Sequence, residues 1–174
     1  MSYITFIDTE VSLKEKIIRD IGGIKDNGNS FHSSSTSEFI SFIKGTRFIC
    51  GHNILNHDLK YLQKALYNSG ITQFKVIDTL FLSPLLFPMR PYHHLLKDDK
   101  LQSDELNNPL NDSIKARDLF NDEVSAFNAL DNSLKSINYL LLKDKNEFRS
   151  FFEYNSFKTE SPDNLENLIH QKFN

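Results

Sequence analysis

Four acidic residues stand where acids are unusual, and two of them lie at the end of the chain's first apolar segment. Asp8 and Glu10 end the run Ile4-Thr-Phe-Ile-Asp-Thr-Glu10 and are separated by Thr9 alone. Side chains two residues apart on a strand point to the same side of the sheet, so both carboxylates can ligate one ion. Thr9 then points away or contributes its backbone. The plainer alternative is a strand end that turns into solvent.

The other two acids, Asp58 and Asp112, fall in the first turns of two predicted helices. Asp58 could simply complement the helix dipole. Asp112 stands beside the apolar residues Leu110 and Ile114, where an acid needs a partner or a metal. Hard ions such as Mg²⁺ prefer carboxylate oxygens, and two ions about 3.5–4 Å apart can support phosphodiester hydrolysis. The four acids are therefore candidates for such a site.

The pattern of apolar and turn-forming residues predicts the elements that would position these acids. Strands are predicted at residues 3–11, 17–25, 30–34, 48–51 and 75–82, the last at least in its first half. Helices are predicted at residues 35–44, 55–69 and from Asn108-Pro109 onward, with an irregular region at 85–108. This order predicts an α/β fold with a mixed five-stranded sheet flanked by helices. Residues 1–130 are expected to form the domain, and residues 131–174 a helical extension or linker.

Composition limits the setting in which the protein works. The chain has 174 residues, a formal net charge of −3 and a single cysteine, Cys50, inside an apolar run. A lone buried thiol fits a reducing, cytoplasmic environment. No secretory signal or membrane-spanning stretch is expected. The negative charge argues against a broad basic face for duplex DNA but leaves room for a local nucleic-acid groove.

Three segments that carry the four acids resemble, in their order and spacing, the exonuclease motifs of the DnaQ-like (DEDD) superfamily. They are residues 4–10, 51–58 and 112–120, and residues 76–80 resemble the strand between the last two motifs. The resemblance covers about residues 3–130. It implies a ribonuclease-H-like sheet, with Asp8, Glu10, Asp58 and Asp112 as catalytic ligands of two Mg²⁺ or Mn²⁺ ions. Residues expected near the substrate are Thr9, His52, Asn53 and Asn107.

One position departs from the family pattern. The larger branch has a histidine general base five residues before the last aspartate, where this chain has Asn107, and the other branch has a tyrosine where this chain has Asn108. Asparagine cannot take a proton from water at neutral pH. We therefore consider His93 and His94 as replacements, with His57 as a third candidate.

A rival register would make the 93–99 loop the third motif. It pairs His93 with Asp98, or His94 with Asp99, at the same spacing of five. We disfavour this register because the apolar helix that should follow the aspartate is far better formed after Asp112.

The expected function is 3′-to-5′ exonuclease activity on single-stranded nucleic acid ends, with DNA preferred over RNA. The alternatives are a ribonuclease that trims RNA 3′ ends and a catalytically impaired nucleic-acid-binding module, which Asn107 suggests. Similar domains often begin longer DNA repair proteins, including RecQ-type helicase fusions, so a helicase domain in the same longer chain is a possible partner. Tyr92 and Phe81 are candidate stacking residues, with ordinary packing as the alternative.

Overall fold

Five strands form one mixed sheet in the computed structural model, which describes residues 3–12, 14–71, 74–95, 108–159 and 165–173. The strands are β1 (Ile4–Ser12), β2 (Ile17–Lys25), β3 (Ser30–Ser33), β4 (Phe48–Gly51) and β5 (Lys75–Asp78). Their spatial order is β3-β2-β1-β4-β5. β1 pairs antiparallel with β2 and parallel with β4, while β2–β3 is antiparallel and β4–β5 is parallel. β1, which carries two of the acids, is therefore the central strand.

Helices connect and follow these strands. In the described part of the chain they are α1 (Thr36–Ile43), α2 (Asp58–Asn68), α3 (Thr79–Leu86), α4 (Pro109–Ala129), α5 (Asn132–Leu142), α6 (Asn146–Tyr154) and α7 (Leu165–Phe173). None of them is long and apolar enough to cross a membrane.

The sheet is buried on both faces, as expected where helices cover it on both sides. One core contains Phe6, Phe48, Cys50 and Ile77 of the sheet together with buried side chains of α3, α4 and α6. The other contains Ile7, Ile21 and Ile49 together with buried side chains of α1 and α2. The layered α/β arrangement predicted from the sequence is thus confirmed as a five-stranded mixed sheet flanked by helices.

Two predicted boundaries differ from the structure. The strand predicted at 75–82 ends at Asp78, because its partner β4 ends at Gly51, the residue paired with Asp78. The chain turns there into α3, and the Asp78 side chain caps this helix by accepting a hydrogen bond from the Leu80 N–H. The helix predicted at 55–69 begins at Asp58, because residues 53–57 form turns before it.

The parallel strands bring the functional segments to one edge of the sheet. β1, β4 and β5 run in the same direction, so their carboxyl ends meet there. His52 and Asp78 lie at or just past the ends of β4 and β5, and Asp8 lies within β1, two residues past Phe6, the last β1 residue that pairs with β4. Ligands of open α/β sheets commonly bind at this edge.

Helix α6, which follows residue 130, is part of the core. Phe151 and Phe152 of α6 are buried with Phe120 and Phe127 of α4, in a cluster of mostly edge-to-face rings. The helical character predicted for this region is confirmed, and part of it closes one face of the sheet.

Candidate metal and active site

Three of the four predicted acids come together at the centre of the sheet edge. Carboxylate oxygens of Asp8 and Glu10, from β1, and of Asp112, from the first turn of α4, all lie within 4.8 Å of one another. All three residues are partly buried. The donor set consists only of carboxylate oxygens, which are the ligands that Mg²⁺ and Mn²⁺ favour. These residues therefore fit a divalent metal site.

The start of α4 is held against the sheet by a capping residue and a glycine. The Asn108 side chain accepts hydrogen bonds from the N–H groups of Leu110 and Asn111, at 3.0 and 3.4 Å. Gly22 pairs with Asp8 across β1 and β2, and a Cβ added at Gly22 would lie only 2.1 Å from the Leu110 nitrogen. The absence of a side chain at Gly22 lets the helix approach β1 closely enough to place Asp112 beside Asp8.

The fourth acid, Asp58, lies next to this group of three carboxylates without being part of it. Asp58 is 1 % exposed, and its Oδ1 accepts a hydrogen bond of 2.7 Å from the Thr9 hydroxyl. Thr9 is also buried and lines the same cavity as the three acids. Because Thr9 lies between Asp8 and Glu10 in the chain, this bond ties Asp58 to the strand that carries two of the acids. The prediction that Asp58 ligates metal stays a prediction.

A cavity of about 520 Å³ opens over the carboxylates. Its wall contains the three acids and, besides Thr9, the residues His52, Asn53, His57, Tyr92, His94 and Leu95. His52, Asn53 and His94, all predicted from sequence as site residues, therefore reach the same cavity as the acids. Tyr92 is 58 % exposed, and its ring centroid lies 5.2 Å from that of His94.

His52 fastens the loop that carries His94. The Leu95 N–H donates to His52 Nε2 at 3.3 Å, which requires this nitrogen to be unprotonated. The proton then resides on Nδ1, which donates to the Thr79 hydroxyl at 2.8 Å. Burial, with a smaller contribution from nearby His94, lowers the pKa of His52 to about 4. His52 is therefore neutral at physiological pH, and both of its ring nitrogens are engaged.

The three histidines considered as general base separate into two groups. His93 Nδ1 lies 3.0 Å from the Ser83 hydroxyl on α3, and His93 is not among the residues that line the cavity. His57 and His94 do line it. His57 Nδ1 lies 3.8 Å from Asp58 Oδ1. Interaction with the Asp58 carboxylate, supported by Glu10, raises the pKa of His57 against the opposing effect of burial.

Three of the positions considered from sequence fall outside the described residues. These are Asn107, expected near the substrate, and Asp98 and Asp99, which define the rival register. Both Asn107 and the rival register therefore stay predictions.

Asp78 is a buried acid that the sequence did not single out. Its carboxylate accepts hydrogen bonds from the N–H groups of Asn53, Leu55 and Leu80, at 2.8–3.1 Å. Burial raises the pKa of Asp78, while these three bonds oppose the shift. Asn53 has a φ of 62°, a left-handed conformation that asparagine tolerates better than most residues. Asp78 thus shapes the turn that leads to Asp58. The Asp78-Thr79 pair inside the strand predicted at 75–82 was the available capping signal.

Comparisons with protein-family models and with curated proteins found no match for this chain.

Proposed function

We propose that this protein is a metal-dependent 3′-to-5′ exonuclease that hydrolyses phosphodiester bonds at single-stranded DNA ends. The observation that carries the proposal is the convergence of Asp8, Glu10 and Asp112 within 4.8 Å, although Asp112 is far from the other two in sequence. Three mutually repelling carboxylates are costly to hold together unless cations compensate them. The Lys115 ammonium, 3.6 Å from Asp112 Oδ1, supplies one positive charge against three negative ones. Their cavity is polar and open to solvent, as access for a nucleic acid end requires.

The topology supports a ribonuclease-H-like fold and a place in the DnaQ-like superfamily. An antiparallel β1–β2–β3 unit is extended by two parallel strands on the other side of β1. The first motif lies on the central strand, the second on the turn into α2 and the third at the start of α4. The residue pattern predicted a strand and two helix starts for the same segments.

Asp8, Glu10 and Asp112 would hold the ions, and Asp58 is the fourth proposed ligand. Its hydrogen bond with Thr9 positions its carboxylate beside β1. When bound, two divalent ions would make a water molecule more acidic and stabilise charge on the attacking and leaving oxygens. The protein's part is to hold four carboxylates in place while leaving room for the scissile phosphate.

His94 and His57 are the proposed candidates for moving the proton of the attacking water. Both line the cavity, whereas His52 already uses its two ring nitrogens in holding Thr79 and Leu95. If both side chains pointed away from the cavity, a nucleic-acid-binding module without turnover would be the better explanation. Their position favours an enzyme in which a histidine replaces the base missing at Asn107.

Tyr92 is the proposed contact for the terminal base. Its ring is 58 % exposed on the cavity wall beside His94. Stacking on an exposed aromatic ring requires an unpaired base, which favours single-stranded ends. Phe81, the other aromatic considered, packs edge-to-face against Phe148 and is better explained by the core.

The test is digestion of 5′-labelled single-stranded DNA and RNA of equal sequence with Mg²⁺, Mn²⁺ or a chelator. A ladder that shortens from the 3′ end, requires metal and disappears in Asp8→Ala supports the proposal, and the faster substrate identifies the sugar. A strand that is bound but never shortened would leave a binding module instead.

Adjacent histidines provide a matched control for the proton-transfer step. His94→Ala is expected to lower kcat by about 10²–10⁴-fold if His94 is the base. His93→Ala, which removes a neighbouring imidazole bonded to Ser83, is expected to leave kcat near the wild-type value. A full effect in His57→Ala with none in His94→Ala would assign the role to His57.

A further inference from the structure

A second cavity, of about 800 Å³, lies at the opposite end of the parallel strands from the carboxylates. Arg47, immediately before β4, and Lys75, the first residue of β5, stand at its sheet side. Phe48 pairs with Ile4, so Arg47 stands level with Tyr3, which is five residues before Asp8 in the chain. At about 3.3 Å per residue, the two cavities are roughly 16 Å apart along the sheet. We call this second cavity the basic groove.

The charge of the basic groove is opposite to that of the whole protein. Its wall contains five cationic side chains, from Arg47, Lys75, Lys143, Arg149 and Lys158. Its two acids are Asp144 and Glu153, which leaves a formal charge of +3 in a chain whose net charge is −3. A concave, locally positive surface attracts anionic ligands.

Most of these cations are not neutralised by the protein. Lys75 forms an ion pair with Glu153, and Arg149 donates to the backbone carbonyl of Asp144. Across the ranges that the structure describes, Arg47, Lys143 and Lys158 form no ion pair. The groove therefore retains cationic groups that an anionic ligand could pair with.

Aromatic rings hold two of the unpaired cations in place. The Arg47 guanidinium lies 5.6 and 5.5 Å from the ring centroids of Tyr3 and Phe48, and the Lys143 ammonium lies 5.6 Å from that of Tyr139. A cation–π contact attracts the charged group to the ring face, and the side of the group that faces away from the ring can still bind a ligand. These charges are thus positioned, which lowers the entropy lost on binding a ligand.

We propose that the basic groove binds the phosphate backbone of a single-stranded nucleic acid, away from the end that is hydrolysed. Several cations spread over a cavity of this size match successive phosphates better than one small anion. Phe157, a partly exposed ring in the wall, is the proposed stacking surface for an unpaired base. This inference rests on the proposed function, because it takes the nucleic acid to be the substrate. Successive nucleotides advance about 3.4 Å when stacked, so a dinucleotide at the carboxylates cannot also reach the groove.

The test is binding of a 5′-labelled dodecathymidylate, followed by fluorescence anisotropy in chelator so that nothing is hydrolysed. We compare Lys143→Gln/Lys158→Gln with Lys44→Gln/Lys64→Gln, which removes two exposed lysines that do not line the groove. Both variants change the net charge equally. The groove variant is expected to bind about tenfold or more weakly at 0.1 M salt, with the slope of log K against log salt reduced by roughly one unit.

The result that overturns the proposal is equal affinity and equal salt slope for the two double variants. Thermal unfolding of both variants checks that each is folded. Hydrolysis by the wild type, measured separately with Mg²⁺, distinguishes the two ideas. Groove-dependent binding without hydrolysis supports the groove and contradicts the exonuclease, whereas hydrolysis with equal binding of both variants contradicts the groove alone.

Discussion

Replacing Gly22 by alanine is expected to disrupt the carboxylate site although it changes none of the acidic residues. A Cβ at Gly22 would lie 2.1 Å from the Leu110 nitrogen and 2.3 Å from the Pro109 oxygen, both in the backbone. Ordinary contact begins near 3.4 Å, so the start of α4 must move by about 1.3 Å. Asp112 moves with it, away from Asp8. Since a misplacement of about 1 Å can cost 10²-fold, we expect kcat to fall about 100-fold.

The adjacent glycine is the matched control for this prediction. Successive residues of a strand face opposite sides of the sheet. A Cβ at Gly23 would meet the Phe42 ring at 3.1 Å and the Phe6 carbonyl oxygen at 3.5 Å, and a side-chain ring can shift more easily than backbone. Gly23→Ala is therefore expected to keep most activity. The assay is Mg²⁺-dependent hydrolysis of single-stranded DNA, with circular dichroism to check folding. If folded Gly22→Ala matches Gly23→Ala in kcat, the close approach of α4 does not position Asp112.

Three further predictions concern buried or partly buried polar groups. Thr9→Val removes the hydroxyl that donates to buried Asp58 and is expected to cost about 2 kcal/mol in urea unfolding, whereas Thr9→Ser should cost less. Neither carboxylate oxygen of buried Glu123 has a hydrogen-bond partner among the described residues, and burial raises the pKa of Glu123 from 4.5 to about 9. The folded protein keeps this carboxyl protonated while the unfolded chain ionises, so its contribution to folding stability is complete below pH 4.5 and is lost as pH rises to about 9. Glu123→Met lacks this loss, so its free energy of unfolding should rise relative to that of the wild type by about 1 kcal/mol per pH unit across that window. A variant less stable than the wild type at pH 8 would contradict this. Because the pKa of His52 is lowered from 6.5 to about 4, its contribution is complete above pH 6.5 and lost as pH falls towards 4. Thermal unfolding of His52→Gln should accordingly show less acid destabilisation than the wild type in that range, since a protonated ring cannot accept the Leu95 N–H.

Local sequence signals predicted most of the elements correctly. The hairpin between β2 and β3 has Asn27-Gly28 at its turn, where Gly28 adopts a φ of 87°. Helix α1 begins after Ser35, whose side chain accepts from the Glu38 N–H, as the capping pattern indicates. Asn108 likewise caps α4. These signals act within a few residues, so a single sequence is enough to recognise them.

The parts that were not predicted depend on contacts between distant residues. Strand β5 ends at Asp78 because its partner β4 ends at Gly51. The pairing of these two residues cannot be recognised from either segment alone. The approach of α4 to Gly22 and the bond between Thr9 and Asp58 span even longer separations. The choice between His93 and His94 was also undecidable from sequence, since it depends on which imidazole faces Ser83.

The measurement that tests the central claim most directly is titration with Mn²⁺, followed by electron paramagnetic resonance, in wild type, Asp112→Asn and Asp118→Asn. Asp118 is an exposed acid on the same helix and is paired with Arg117, so its variant makes the same chemical change outside the site. We expect about two ions bound by the wild type and by Asp118→Asn, and weakened binding by Asp112→Asn. Equal Mn²⁺ binding by the two variants, or none by the wild type, would contradict the assignment of Asp8, Glu10 and Asp112 as a metal site.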